Sequence, residues 1–111
     1  MDKAVLLKRR LREDKVEIHG VGVVMVRGLS RGEADEVVAA REAHGVLAME
    51  RKILAFGMVD PALDEDEVAQ WQRAAGTDEL NAVIERISEL SGMDEGAAKS
   101  GVPGDGDRPG N

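Results

Sequence analysis

Residues 15–38, KVEIHGVGVVMVRGLSRGEADEVV, hold two strand patterns that lead directly into the start of a helix. Lys15–His19 alternates charged or polar residues with β-branched ones, which is typical of a strand with one buried face. Gly20-Val21-Gly22 then connects to Val23–Arg27, a nearly continuous apolar run that ends at Gly28. Two β-prone runs joined through glycine predict a β-hairpin.

The second run of this hairpin lacks a clean alternation, which indicates that both its faces are covered. Helices would cover one face, and another copy of the chain is one option for the other. The edge at Val23–Val26 is also expected to be open, so that a strand can be added there.

The next signal is a capping box. Ser30 stands three residues before Glu33, so the serine can accept from the N3 amide while the glutamate reaches back to the N-cap amide. A helix is therefore predicted from here to about His44, and Gly45 is expected to end or kink it.

Residues 46–59 are mostly apolar and are interrupted by Glu50, Arg51 and Lys52. The main interpretation is a buried helix that runs through Gly57. A third strand at Ile53–Val59 stays open as an alternative, because glycine and β-branched residues disfavour a helix. Asp60-Pro61 ends either element, since a residue before proline avoids the α region.

Two further helices follow. Asp64 and Glu67 repeat the capping spacing, and Val68 and Trp71 follow at helical spacing until Gly76 closes the helix. Thr77-Asp78-Glu79 is expected to cap the last helix. Its apolar positions, which lie on one face of the helix, are Leu80, Val83, Ile84, Ile87 and Leu90. Ser91-Gly92 ends that helix.

The sequence thus predicts an α+β fold that is mainly helical, with an N-terminal β-hairpin followed by three to four helices. Residues 1–14 form a basic arm or short helix, residues 15–92 a single domain, and residues 93–111 a flexible tail rich in Gly, Pro and Asp. The tail has almost no apolar residues whose burial could offset the entropy lost when it becomes ordered.

The charge of the chain is uneven. The net charge is −7, yet residues 1–59 hold 11 Lys or Arg against 9 Asp or Glu, and residues 60–111 hold 4 against 13. An acidic second half repels phosphate, so nucleic acid is not the expected partner. Complementary ends also favour head-to-tail contacts between copies. With no apolar run near the ~20 residues of a membrane span, a cytosolic protein without a membrane partner is expected.

Nothing in the sequence has the spacing of a catalytic or metal site. The chain has no cysteine, and its two histidines, His19 and His44, lie far apart. Gly20 and Gly22 lead into a strand, so a dinucleotide would find no helix N-terminus there. The contiguous acids at Asp64–Glu67 do not fit a calcium loop. We therefore expect a protein that is not an enzyme and holds no cofactor.

Three segments together resemble the tail assembly chaperones of long-tailed (siphovirus-like) bacteriophages or prophages. They are Val26-Arg27-Gly28-Leu29-Ser30 after the strand pair, Val59-Asp60-Pro61-Ala62-Leu63, and the closing Leu90-Ser91-Gly92. In that family, a strand ending in Val-Arg-x-Leu, a later Asp-Pro-x-Leu and a closing Leu-Ser-Gly recur. The resemblance covers roughly residues 15–93.

The resemblance implies a non-enzymatic factor of the host bacterial cytoplasm that is absent from the mature virion. Such proteins bind the tape-measure protein and recruit tail-tube subunits, and many are also made in a longer, frameshifted form. A homo-oligomer is expected from the need to coat a long helical protein. The family carries no catalytic residues, so none is transferred.

Apolar residues in the hairpin and in the middle of the chain are the expected protein-binding residues. They are Val24, Val26, Ile53, Leu54, Phe56, Met58 and Trp71. The alternative function is a small DNA-binding regulator that uses the basic N-terminal arm, where Lys8-Arg9-Arg10 and Arg12 are concentrated.

Overall fold

The computed structural model describes residues 1–93, in which five helices accompany one three-stranded sheet. The helices are α1 (Lys3–Leu7), α2 (Arg31–His44), α3 (Val46–Gly57), α4 (Glu65–Ala74) and α5 (Thr77–Leu90). The strands are β1 (Glu13–Ile18), β2 (Gly22–Arg27) and β3 (Met58–Asp60). Helices make up about 59% of the described residues, which confirms the mainly helical α+β fold. Of the predicted flexible tail, all but Met93 lies outside the described residues.

The predicted hairpin is present, with β1 and β2 antiparallel and Val16 opposite Val24. Gly20 and Gly22 take positive φ values of 78° and 144° in its turn, a conformation that suits glycine. The first strand begins at Glu13, two residues earlier than predicted, within the segment assigned to the arm.

β3 changes the role of the second strand. Met58 and Asp60 pair with Val26 and Met25, so β2 lies between β1 and β3 and the strand order is β1-β2-β3. The edge predicted to be open at Val23–Val26 is therefore closed at Met25 and Val26, whereas the pairing does not extend to Val23 and Val24. The sequence could not show this, because the pairing joins segments about thirty residues apart in a strand of only three residues.

The sheet buries one face only. Val24 and Val26 point into the core, whereas Val23, which precedes them, is 62% exposed. The outer face of β2 is thus not covered at Val23 within one chain, and its covering by another copy stays a prediction. The outer face instead carries the charged side chains of β1, Glu13, Lys15 and Glu17, beside the apolar residues of β2.

Both predicted capping boxes are confirmed. Ser30 Oγ accepts from the Glu33 amide at 3.1 Å, and Glu33 Oε1 accepts from the Ser30 amide at 3.0 Å. Asp64 and Glu67 make the equivalent pair at 2.8 and 3.0 Å. Gly45, with φ of 93°, separates α2 from α3 as expected. The helical interpretation of residues 46–57 is confirmed, and strand structure is confined to β3.

α5 carries the predicted stripe, with Leu80, Val83, Ile87 and Leu90 buried. Its start differs from the prediction, because Gly76 is the N-cap and Thr77 already lies inside the helix. The Glu79 carboxylate does not reach back to the cap and accepts a hydrogen bond from Trp71 instead.

A Schellman motif ends α5. The Gly92 amide donates to Glu89 O at 3.1 Å and the Met93 amide donates to Ser88 O at 2.8 Å, while Gly92 takes a φ of 75°. This motif accounts for the Ser-Gly ending in physical terms, since glycine adopts the left-handed region without a steric penalty.

The core is aliphatic and lies between the inner face of the sheet and the helices α2 to α5. Its buried members are Ile18, Val24, Val26, Leu29, Val37, Ile53, Leu54, Met58, Val68, Leu80, Val83, Ile87 and Leu90. α5 crosses the hairpin, where Arg86 Nη2 contacts Asp14 Oδ2 at 2.7 Å. That contact holds the pKa of Asp14 below its ordinary value.

Candidate functional site

The structure places five of the seven predicted protein-binding residues in the core. They are Val24, Val26, Ile53, Leu54 and Met58. Their side chains are packed against the chain's own helices and sheet, so we correct their main role to that of core residues. Val24 and Met58 also line the surface grooves described below. Only Phe56 and Trp71 keep a substantial part of their surface exposed.

These two residues are also the only aromatic side chains of the chain, which has one Phe, one Trp and no Tyr. Both pack against the edge of the core, and both line grooves on the surface. A small domain gains most by burying its largest apolar side chains. Leaving both aromatics half-exposed therefore marks the two grooves as candidate sites for another protein.

The Trp71 groove has a volume of about 240 Å³ and is mostly apolar. Its walls come from the hairpin end, the segment after β3, and α4 and α5. Ile18, Val21, Pro61 and Leu63 surround Trp71, together with the carboxylates of Glu67 and Glu79.

One hydrogen bond holds the indole in place. Trp71 Nε1 donates to Glu79 Oε2 at 2.7 Å, a short bond to a charged acceptor. The polar end of the ring is thereby satisfied, and its apolar body is left to line the groove. A neighbouring cavity of about 300 Å³ shares Ile18 and Glu79 with this groove and adds Glu17 and Asp78. This end of the molecule is therefore apolar and acidic.

The Phe56 groove is larger, at about 530 Å³, and has a different character. Phe56, Val59 and Leu11 supply its apolar part, and Arg9 and Arg27 supply cationic groups. Lys52 Nζ lies 5.7 Å from the centre of the Phe56 ring, which adds a further positive charge beside it. Glu13 adds a carboxylate to the lining. Arg27 and Lys52 are themselves paired with Glu33 and Glu65, at 2.8 and 2.9 Å, so the groove carries charges of both signs.

Arg27 is fixed by the capping box of α2. Its guanidinium donates to both carboxylate oxygens of Glu33, at 2.8 and 2.9 Å, and to Gly28 O at 3.0 Å. The hydrogen bonds from Arg27, followed by that from the Ser30 amide, lower the pKa of Glu33 from 4.5 to about 2 despite its partial burial. The Arg27–Glu33 pair thus holds the end of β2 against the start of α2, and this junction forms a rigid wall of the Phe56 groove.

We expect this pair to give the protein an acid-sensitive share of its stability. A pKa lowered on folding contributes stability that is present above pH 4.5 and is lost as the pH falls toward 2. Urea unfolding across that range should show that the free energy of unfolding falls further in the native chain than in Glu33→Gln, by about 2 kcal/mol. Glutamine keeps the capping geometry and removes only the charge. Glu42→Gln, on the exposed face of the same helix, is the control, and parallel pH profiles of the native chain and Glu33→Gln would refute the assignment.

α1 presents three consecutive exposed apolar side chains. Val5 is 54% exposed, Leu6 56% and Leu7 73%. Both ends of the helix are nonetheless capped, since the Asp2 carboxylate accepts from the Ala4 amide at 3.0 Å and Arg10 Nη1 donates to carbonyls of the last turn, among them Leu6 O at 2.9 Å.

The segments that carry the resemblance meet in the structure. The Leu29 amide donates to Ser91 Oγ at 2.7 Å, and Gly28 packs directly on the Leu90 carbonyl. Arg12 Nη2 joins the same place by donating to Leu90 O at 3.3 Å. Gly28, Leu29 and Ser91 therefore shape the framework on which the grooves lie. Other residues of the resembling segments line the grooves themselves, namely Arg27, Val59, Pro61 and Leu63.

Sequence reasoning found Phe56 and Trp71 but missed the groove residues Arg9, Leu11, Val21 and Leu63. Val21 and Leu63 are isolated apolar residues in a polar or Gly/Pro context, and that signal alone is too weak to identify a groove. Among residues 1–93, no cluster of three or more His, Asp or Glu side chains is placed to hold a metal ion. No helix in the same span is long and apolar enough to cross a bilayer. Comparisons with protein-family models, with curated proteins and with solved structures gave no match to this chain.

Proposed function

We propose that this chain is a non-enzymatic tail assembly chaperone of a long-tailed bacteriophage or prophage. It binds the tape-measure protein and recruits tail-tube subunits in the cytoplasm of the host bacterium, and it is absent from the mature virion. The proposal draws its identity from the three resembling segments. The observation that carries protein binding is the half-exposed position of both aromatic residues, each in its own groove.

The Phe56 groove is the better site for the tape-measure protein. It is the larger of the two, and Arg9 on its wall complements a carboxylate of an amphipathic helix. A long helical partner presents apolar residues at i, i+3 and i+4, and one of them can insert beside Phe56 in a helix-in-groove contact. Aromatic and arginine side chains are the residue types that most often dominate such interfaces.

We expect Phe56→Ala to weaken binding of a tape-measure segment at least about tenfold, the loss typical of truncating an interface hot spot. Co-purification of the intact chain with the segment, followed by a titration, measures the effect. Val38→Ala is the matched control, because Val38 is an exposed apolar residue of α2 outside both grooves.

Thermal unfolding of both variants separates a binding effect from a folding effect, since Phe56 also packs on the core. Phe56→Leu keeps most of that packing and serves as the second variant. Unchanged binding by Phe56→Ala in a folded protein would remove the groove from the proposal. Mass spectrometry of purified virions should find the tape-measure protein and not this chain.

A further inference from the structure

We propose that α1 of one copy docks in the Trp71 groove of a second copy, so that the chains associate head to tail. The occupant of the groove is thus the amphipathic arm, residues 1–10, of a neighbouring molecule. This goes beyond the function proposed above, because a single copy could bind a tape-measure segment through the Phe56 groove without any such contact.

The first argument is the isolation of α1. A helix of five residues is too short to be stable in water without packing, even with both ends capped. Within the described part of the chain, none of its residues is buried. Val5, Leu6 and Leu7 therefore form an apolar surface whose packing partner is expected outside the molecule.

The second argument is charge. The arm holds Lys3, Lys8, Arg9 and Arg10 against the single acid Asp2. The Trp71 groove contains Glu67 and Glu79, and the cavity that adjoins it adds Glu17 and Asp78. An apolar helix with a basic end thus meets an apolar groove with acidic walls, which favours the encounter and sets its direction.

The third argument is placement. Arg12 anchors the arm at the start of β1 through its bonds to Glu89 O and Leu90 O. The Trp71 groove lies at the other end of β1, at Ile18 and the hairpin turn. The six residues of the strand separate the two by about 20 Å. Donor and acceptor surfaces are therefore at opposite ends of one molecule.

A contact between two different surfaces is heterologous, and repeating it gives a ring or an open helical filament. Each added copy would again expose a free arm at one end and a free groove at the other. The Phe56 grooves of successive copies would then be displayed at a regular spacing along the assembly.

The test uses the intact chain and two variants that carry exposed substitutions. The arm variant is Leu6→Ser with Leu7→Ser, and the groove variant is Val21→Arg, at a residue that is 69% exposed in the hairpin turn. Light scattering and sedimentation should show that the native chain grows in mass with concentration across the micromolar range and shrinks with added salt. Each variant alone should stay monomeric.

Mixing the two variants gives the decisive result. The arm variant keeps an intact groove and the groove variant keeps an intact arm, so the mixture should form a heterodimer and stop there. Fluorescence of Trp71, the single tryptophan, should change on mixing and not in either variant alone. Leu47→Ser, at an exposed site on α3, should associate as the native chain does.

A native chain that stays monomeric at every concentration would overturn the proposal. Variants that associate like the native chain, or a mixture that stays monomeric, would overturn it as well. Titration of the arm variant with a tape-measure segment keeps the two proposals apart, because Leu6→Ser and Leu7→Ser leave Phe56 and Arg9 of that groove in place.

Discussion

Gly28→Ala is expected to lower the free energy of unfolding by about 2 to 3 kcal/mol. A Cβ at this position would lie 2.5 Å from the Leu90 carbonyl oxygen and 2.9 Å from the Ser91 nitrogen. Both are backbone atoms at the end of α5 and cannot move aside as a side chain can. Moving them would also stretch the bond between the Leu29 amide and Ser91 Oγ. Urea unfolding measures the change.

Gly32→Ala provides the matched control for this experiment. Gly32 lies in the first turn of α2, where the closest atom to an added Cβ is Ser30 Oγ at 4.0 Å. Alanine favours the helix over glycine, so this variant should be as stable as the native chain or more stable by up to about 1 kcal/mol. Equal stability of the two variants would contradict the close contact at Gly28.

A second large effect is expected where α3 meets α5. Ile87 is fully buried, and truncating it to alanine should cost about 2 to 5 kcal/mol. Its branched side chain fills the space left by Gly57, where a Cβ would lie 2.5 Å from Ile87 Cδ1 and 2.9 Å from Cγ2. Gly57→Ala alone should therefore destabilise the protein by overpacking, by about 1 to 3 kcal/mol.

The double variant Gly57→Ala/Ile87→Ala tests whether the two residues act on each other. Removing the isoleucine makes room for the added methyl group, so the double variant should be more stable than the sum of the single effects by about 1 kcal/mol or more. Unfolding curves of the four proteins give this coupling directly. Additive losses would show that α3 and α5 are not in direct contact at this point.

Local signals predicted most of the helical framework. Each capping box, at Ser30 and at Asp64, depends on residues within one turn of each other. The stripe from Leu80 to Leu90 depends on residues within three turns. Such signals are physical constraints that a short window of sequence already contains. The hairpin was predicted for the same reason, since its glycines stand beside the runs that they connect.

Features that depend on distant contacts could not be predicted. Nothing near Met58 in the sequence indicates that it pairs with Val26, and without this pairing β2 looks like an edge. Burial was misjudged for the same reason. Ile53, Leu54 and Phe56 are neighbours on one apolar run, yet only the first two face the core once α4 and α5 have packed on α3. Which apolar residue stays exposed is decided by the neighbouring elements.

The resemblance to tail assembly chaperones acquires a physical explanation in this fold. The Leu29 amide donates a hydrogen bond to Ser91 Oγ, and the absence of a side chain at Gly28 lets its segment approach the end of α5. Arg27 and Val59 of the same segments line the Phe56 groove that is proposed to bind the partner.

The two proposals combine into one arrangement. Arm-to-groove contacts would join the chains in a row, and the Phe56 grooves would face a long helical partner at repeated intervals. Weak binding at each groove would then sum to a tight complex, because neighbouring copies are held at a high effective concentration. Loss of the arm should accordingly weaken coating of a full-length tape-measure protein more than binding to one short segment.

The most direct measurement is a calorimetric titration of the intact chain with overlapping segments that span a phage tape-measure protein. The account predicts saturable binding to one or more segments with amphipathic helices, and loss of that binding in Phe56→Ala but not in Val38→Ala. Absence of binding to every segment by the folded chain would contradict its assignment as a tail assembly chaperone.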